Sequence, residues 1–252
     1  MLQEERLERI LDVLKKKKHM TNAALCQHLF CSISTLRRDL IRLENNGLIK
    51  RWHGGATLST TANSEISYLF RSHDQTNEKN YIANLAKSLI SNHQSLFLDS
   101  SSTVAKFCEQ IMEMPLVVVT NGIQNIITLN QSPTIQLFTL GGEVKPNALS
   151  VVGAMAGENL IHYHADIAIL SCRGLSLNGI FEADSNQALL KQKMIAQAKT
   201  SILLCDHHKF DSEYFIKSIN YTDIDFLITD KRPSEDYIKL LAESGCTLIY
   251  EG

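Results

Sequence analysis

Nine residues, Ser32-Ile33-Ser34-Thr35-Leu36-Arg37-Arg38-Asp39-Leu40, restrict this chain more than any other stretch. Serine is a strong helix N-cap, because its hydroxyl accepts from a backbone N–H that the first turn leaves unpaired. Placed about 100° apart on a helical wheel, Ile33, Leu36, Leu40 and Leu43 fall on one side, which predicts a core contact. Arg38 lies opposite their centre, flanked by Ser34, Asn45, Arg42 and Thr35, with Arg37 and Asp39 on the two shoulders. A capped helix of this kind predicts a DNA-reading element with Ser32 at its start, since a guanidinium bonds guanine O6 and N7 together. Arg38 is expected at a base edge, and Ser34, Thr35 and Arg42 at bases or phosphates. Arg37 stays open between a phosphate contact and an ion pair inside the protein. A lone Arg-Arg pair is more often a solvated face, so the reading depends on its surroundings.

Those surroundings have helix-turn-helix spacing. Leu7, Ile10, Leu11 and Leu14 predict an amphipathic helix over residues 3–17, with Lys15 to Lys18 at its C-terminal end, where positive charge suits the helix dipole. Those lysines are either a solvated helix end or phosphate contacts. Thr21 is placed to cap a second helix with Ala24, Leu25 and Leu29 inward, and Phe30-Cys31 makes the turn. Asn45-Asn46-Gly47 stops the third helix. Leu48 to Gly55 then predicts a short β-hairpin, a wing that brings Lys50, Arg51 and His53 near a DNA backbone, with Trp52 packing rather than stacking on bases. Charge agrees. Residues 1–60 hold 11 Lys and Arg against 6 Asp and Glu, and the remainder holds 14 against 21. A basic head on an acidic body points to a polyanion held in one place.

Thr57 to Ser64 is rich in Ser and Thr and lacks apolar periodicity. The expected organisation is a winged helix-turn-helix over 1–57, a linker over 58–74 and a larger domain over 75–252. In that domain apolar runs at 96–98, 116–119, 135–140, 167–171, 202–205, 226–229 and 248–250 alternate with helical patterns at 82–90, 103–113, 122–130, 153–162, 185–199 and 234–244. The alternation predicts an open α/β fold with a largely parallel sheet. Polar and glycine residues gather where the runs end: Asp99-Ser100-Ser101-Ser102-Thr103, Thr120-Asn121, Gly141-Gly142, Arg173-Gly174 and Asp206-His207-His208-Lys209. Open α/β sheets bind ligands beyond the carboxyl ends of their strands, and free N–H groups at a helix start suit a phosphate. A small anionic ligand is therefore expected there, with Lys191, Arg173 and Lys209 supplying charge. One such end alone would be only a cap or a turn.

Six scattered cysteines without a C-x-x-C pair fit free thiols, no apolar run reaches the ~18 residues of a membrane span, and Met1-Leu2-Gln3-Glu4-Glu5 lacks signal-peptide form. A soluble cytoplasmic protein is expected. His162-x-His164 and His207-His208 lack the further ligands a metal site needs, so neither metal nor cofactor is called for.

Arg6-x3-Ile10-x3-Leu14, followed after 17 residues by Ser32-x2-Thr35-Leu36-Arg37-Arg38-Asp39-Leu40, resembles the helix-turn-helix signature of the DeoR-type bacterial transcriptional regulators, and Arg51-Trp52-His53-Gly54-Gly55-Ala56 is similar to that family's wing. Leu98-Asp99-Ser100-Ser101-Ser102-Thr103, Thr120-Asn121, Leu140-Gly141-Gly142, Lys191-x2-Met194-Ile195 and Asp206-x2-Lys209-Phe210 resemble its sensor domain. Two positions depart from the family pattern: Ser101 stands where glycine is frequent, and Gln187 where glutamate is. The resemblance implies a ribose-5-phosphate-isomerase-like sensor fold that binds a phosphorylated sugar or polyol. It also implies double-stranded operator DNA as partner, and repression of a sugar or polyol operon that the ligand relieves. A single head makes few contacts, so a dimer or higher homo-oligomer is expected. One rival is a sugar-phosphate isomerase in which Asp99, Lys191, Asp206 and Lys209 move protons. Another is a DNA-binding adaptor whose body only oligomerises.

Overall fold

The computed structural model describes residues 3–58 and 67–250. Helix α1 (Gln3–Lys17) and a short strand, β1 (His19–Thr21), lead into two helices that each start on a hydroxyl cap. Thr21 Oγ1 accepts from the Ala24 N–H at 3.2 Å and starts α2 (Asn22–Leu29). Ser32 Oγ accepts from the Thr35 N–H at 3.2 Å and starts α3 (Ile33–Asn45). Between them Phe30 turns the chain in the left-handed region, at φ +51°. Gly47, at φ +73°, releases the chain from α3 into β2 (Ile49–Trp52) and β3 (Gly55–Leu58). Strands β2 and β3 form the expected hairpin. β1 adds to β3 antiparallel, giving the order β1-β3-β2. Three residues are too few to show a period, so β1 left no mark in the pattern. The Trp52 ring lies over Gly55, where a Cβ would come within 2.4 Å of it.

The core of the head is built from Leu7, Ile10, Leu11 and Leu14 of α1, Leu25 and Leu29 of α2, and Leu36, Leu40 and Leu43 of α3. Two expectations for α3 need correction. Ile33 is 45% exposed and lies outside this core, whereas Asp39 is fully buried. The reason is Arg6, whose Nε meets Asp39 Oδ2 at 2.5 Å and whose Nη2 donates to Oδ1 at 3.1 Å, joined by Gln3 Nε2 at 3.2 Å. A paired carboxylate takes a core-side place. The buried arc then runs through Leu36, Asp39, Leu40 and Leu43, and the outward midline moves about 30°, from Arg38 to between Ser34 and Arg38.

The chain separates into two units, Met1–Phe70 and Arg71–Gly252. Residues 59–66 of the expected linker lie outside the described residues. Its end is not irregular, because α4 (Tyr68–His73) forms there, with Tyr68 buried and the Ser67 N–H donating to Asn46 C=O at 3.3 Å.

The second unit runs α5 (Thr76–Lys87), β4 (Ser95–Leu98), α6 (Ser102–Gln110), β5 (Val117–Thr120), α7 (Ile123–Leu129), β6 (Gln136–Thr139), β7 (Glu143–Lys145), β8 (Ser150–Val152), α8 (Ala154–Leu160), β9 (Ala165–Ser171), β10 (Gly174–Ser176), β11 (Gly179–Glu182), α9 (Ser185–Ala196), β12 (Ala198–Leu204), β13 (Ile216–Ile219), β14 (Phe226–Ile228), α10 (Glu235–Glu243) and β15 (Thr247–Ile249). Seven strands make one parallel sheet in the order β15-β14-β12-β9-β4-β5-β6. Both faces are buried, so alternate residues feed two cores. Phe97, Ala168, Leu170 and Leu203 point to one, and Leu96, Leu98, Ile167, Ile169, Ile202 and Leu204 to the other. The chain starts at β4, winds outward to β6, then returns to lay β9 on the other side of β4. The strand order therefore reverses between β4 and β9, the kind of position beyond whose carboxyl ends open α/β sheets hold ligands. The sequence pattern did not reveal the antiparallel β7-β8 pair or the three-stranded β10-β11-β13 sheet.

The buried Arg6–Asp39 pair yields a test. Asp39→Ala should destabilise the head by about 3 kcal/mol, because it removes the buried carboxylate that Arg6 and Gln3 bond and leaves the Arg6 charge in place. Trp52 is the sole tryptophan and sits in the head, so its fluorescence follows that unit alone. Its denaturant midpoint should fall, while circular dichroism dominated by the second unit should hold. An unchanged Trp52 transition would refute the role given to the pair.

Candidate functional site

The outward side of α3 carries Ser34, Arg37, Arg38 and Arg42, all exposed. The hydroxyls at its start are linked: Ser32 Oγ lies 2.9 Å from both Ser34 Oγ and Thr35 Oγ1. Among the described residues Arg37, Arg38 and Lys50 have no partner, so their charges face solvent. Arg37, open between two roles in the sequence, makes no ion pair among the described residues. Two other expected cations are engaged. Arg42 Nη1 donates to Gln3 Oε1 at 3.0 Å. Arg51 gives its N–H and its Nε to the Glu44 carboxylate at 2.9 and 2.6 Å, and those bonds hold Glu44 below the usual carboxylate range. His53 is exposed at the hairpin tip, where Gly54 turns the chain at φ +104°. The arrangement is a shallow cationic face with a hydroxyl cluster at one end, suited to a phosphate backbone and base edges.

The second constellation sits where the sheet order reverses. Asp99, just past β4, is 1% exposed. Its Oδ1 accepts from the Ser101 N–H at 2.8 Å and its Oδ2 from the Ser171 N–H at 2.9 Å. Lys191 of α9 approaches the same Oδ2 at 3.1 Å, donates to Ser171 C=O at 2.6 Å and also bonds Glu182. Burial alone would lower its pKa, but the Glu182 and Asp99 carboxylates reverse that and raise it. Lys191 is thus a charged strut with its three N–H bonds occupied, and it meets a ligand only by releasing one. Lys209 donates to Ser171 Oγ at 2.8 Å and to Thr103 Oγ1 at 3.4 Å, and faces Asp206 at 3.5 Å. Burial opposes its charge most strongly, but Asp206 together with Cys172 and Cys205 outweighs it and raises the pKa, while Asp206 is lowered by Lys209 and Lys79 against its own burial.

Other expected residues have narrower duties. Ser101 caps α6, accepting from the Val104 N–H at 3.2 Å, which leaves the Ser102 and Thr103 N–H groups without a partner among the described residues. Ser100 Oγ reaches Gln187 Oε1 at 3.3 Å, and Gln187 Nε2 reaches Ser150 Oγ at 2.7 Å. Thr120 Oγ1 donates to Leu98 C=O at 2.7 Å and accepts from Asn125 Nδ2 at 3.0 Å, which makes it a structural brace. Asn121 Nδ2 holds Val151 C=O at 3.0 Å, while its buried Oδ1 and the Arg173 Nε lack hydrogen-bond partners among the described residues. The Arg173 guanidinium lies over the Tyr214 ring, 5.2 Å from its centre. Gly142, at φ +148°, lets the chain pass Val152 C=O, which a Cβ would approach to 2.6 Å. Among the described residues no hydrogen bond or ion pair joins Gly141, Gly142 or Arg173 to the Asp99 cluster. His207 Nδ1 pairs with Asp230 at 2.6 Å, and its ring stacks on His208 at 3.8 Å.

Three participants escaped sequence reasoning. Ser171 and Glu182 stand in β-strands that carry no motif. Lys79 left a signal: it lies three residues before Ile82, on the side of α5 that also buries Ala83 and Ala86. It bonds the backbone carbonyls of Arg71 and Asp74. Burial, then the nearby Lys209 charge, lowers its pKa from 10.5 to about 8.

Comparison with known proteins adds to this geometry. Residues 6–62 match the family model of the DeoR-like helix-turn-helix domain, and residues 74–231 that of the DeoR C terminal sensor domain. The HTH-type transcriptional repressor GlcR of Bacillus subtilis (strain 168) is 37% identical over 99% of this chain and 96% of its own. The lactose phosphotransferase system repressor of Streptococcus mutans is 30% identical, over 95% of this chain and 97% of its own. A solved ribose 5-phosphate isomerase from Methanocaldococcus jannaschii overlaps 54% of this chain and 55% of its own, at 16% identity and a TM-score of 0.41.

Lys79 sets a pH dependence. The folded protein releases this proton near pH 8, the unfolded chain near 10.5. Between those values the unfolded state holds more protons, so stability rises with pH there. The wild type should therefore gain in melting temperature on Lys79→Met between pH 8 and 10. A constant gap across that window would contradict the assignment.

Proposed function

The chain belongs to the DeoR family of transcriptional regulators, and on that premise we propose that it represses a sugar or polyol utilisation operon and releases DNA when a phosphorylated sugar binds its second unit. It acts in the cytoplasm on double-stranded operator DNA. Ser34, Thr35 and Arg38 meet base edges, and Arg37 and Lys50 meet the phosphate backbone. Arg42 and Arg51 join them once they leave Gln3 and Glu44. The observation that carries this reading is the serine-capped helix α3, which presents Arg37 and Arg38 without a partner among the described residues. The relatives named as repressors, one of them of a lactose phosphotransferase system, support the sign and the substrate class.

The ligand lies beyond β4 and β9. Its phosphate accepts from the Ser102 and Thr103 N–H groups at the start of α6, where the helix dipole favours an anion, and from Lys209. Its hydroxyls meet Asp99, Glu182 and the Ser100–Gln187–Ser150 chain. A phosphate on Lys209 competes with Asp206, and Asp206 is one of the charges that face Lys79. Lys79 holds the carbonyls of residues 71 and 74, so the disturbance reaches the start of the unit. A coupling of ~1–3 kcal/mol changes DNA affinity about 5- to 150-fold. A homodimer or higher oligomer presents paired heads to paired half-sites. The isomerase reading has less support, since Lys191 keeps its protons on Asp99, Glu182 and Ser171 and the named relatives are regulators.

Two measurements test this reading. Binding of the full chain to the DNA upstream of its own gene should weaken linearly as log affinity against log salt. Arg38→Ala should cost about 1–3 kcal/mol. Salt-independent binding, or an Arg38→Ala variant that binds as well as the parent, would sink the DNA assignment. In a thermal-shift panel, sugar phosphates should raise the melting temperature and the matching free sugars should not. A flat response to every compound would favour the adaptor instead.

A further inference from the structure

Two apolar side chains are out of place at the reading end of the head. Phe30 is 93% exposed and Ile33 is 45% exposed. Neither belongs to the core of the head or packs against it. Phe30 also holds a left-handed backbone at φ +51°, where glycine sits without strain. The fold would be served better by glycine at 30 and a polar residue at 33, so stability does not account for either residue.

Their position does. They flank Ser32, the cap of α3. Side chains on a helix lean toward its N-terminus, so Ile33, at the first helical position, projects past the end of α3. That end is the one a recognition helix puts into the major groove. Ile33 and Arg37 are four residues apart and share a shoulder of the helix, beside the Ser34–Arg38 row. An aliphatic group held among hydroxyls and guanidinium groups finds one apolar partner on the groove floor, the C5 methyl of thymine.

We propose that Ile33, assisted by Phe30, reads thymine methyl groups in the operator and so sets part of its sequence preference. This deepens the DNA-binding reading and rests on it. The surface is continuous with the cationic face of α3, which fixes nucleic acid rather than a second protein copy as the occupant.

The test removes only the methyl. Duplexes are selected from a random library by the full-length protein, and the tightest is remade with deoxyuridine in place of each thymine in turn. The wild type should lose about fourfold in affinity at one or two positions per half-site, the value of burying one methyl group. Ile33→Ala should bind the thymine and uracil duplexes alike, at the lower level, and Ile33→Val should keep part of the discrimination. Phe30→Gly should narrow it without lowering the melting temperature. A wild type indifferent to uracil at every position overturns the proposal, as does an Ile33→Ala or Ile33→Thr variant that keeps the full ratio. A smaller oligomer in either variant with the ratio intact also overturns it, and assigns the patch to self-association. Failure to select any duplex overturns the DNA-binding reading itself.

Discussion

One carboxylate ties the second unit together. Asp99 accepts from Ser101 N–H, which forms the turn from β4 into α6, and from Ser171 N–H, which fastens the end of β9. It also faces Lys191, which anchors α9. These elements meet where the sheet reverses its order, the one place at which two neighbouring strand ends diverge. The side chain is almost dry, so an uncompensated charge would cost several kcal/mol. Two N–H dipoles and an ammonium group remove that cost. Lys191 in turn has a second carboxylate, Glu182, beside it.

The charges around this point balance. Asp99, Glu182 and Asp206 face Lys191, Lys209 and Lys79. A balanced cluster holds no spare cation waiting for an anion. A phosphate entering it gains by taking a lysine from a carboxylate and by filling the open N–H groups of α6. Lys209 is the member with most freedom, since it is partly exposed and its contacts with Thr103 and Asp206 are long. Exchange of Asp206 for a ligand at Lys209 alters the field at Lys79, whose pKa already stands near 8. The cluster thereby links the ends of β4 and β9 to the backbone at residues 71 and 74.

Much of this was legible in the sequence where one physical rule acts locally. The caps Thr21 and Ser32 were readable because a hydroxyl before an apolar period serves its own helix. The seven parallel strands were readable because a sheet buried on both faces needs unbroken apolar runs, as at Leu96–Leu98 and Ile167–Ser171. The meeting of Asp99, Asp206 and Lys209 was readable because these residues follow those runs directly. What escaped depends on partners distant in the chain. Glu182 matters because Lys191 reaches it and Ser171 because Asp99, Lys191 and Lys209 all do, and β13 becomes a strand only by pairing with β11. Asp39 was misplaced for the same reason, since nothing in α3 announces an arginine arriving from α1.

That misplacement determines what the head displays. A helix of thirteen residues can bury only one arc. With Arg6 neutralising Asp39, the arc is centred between Leu36 and Leu43, and Ile33 turns toward solvent. Had Asp39 faced water, the arc would have centred nearer Ile33 and closed over it. The reading face would then carry only hydroxyls and guanidinium groups. Such a face grips any polyanion, because phosphates are everywhere along a duplex and carry no sequence. An apolar side chain among those cations has little to gain from a phosphate and much from a methyl group at the right step. The buried ion pair therefore contributes twice: it holds α1 against α3, and it sets the rotation that leaves a hydrophobic residue, Ile33, exposed at the start of α3.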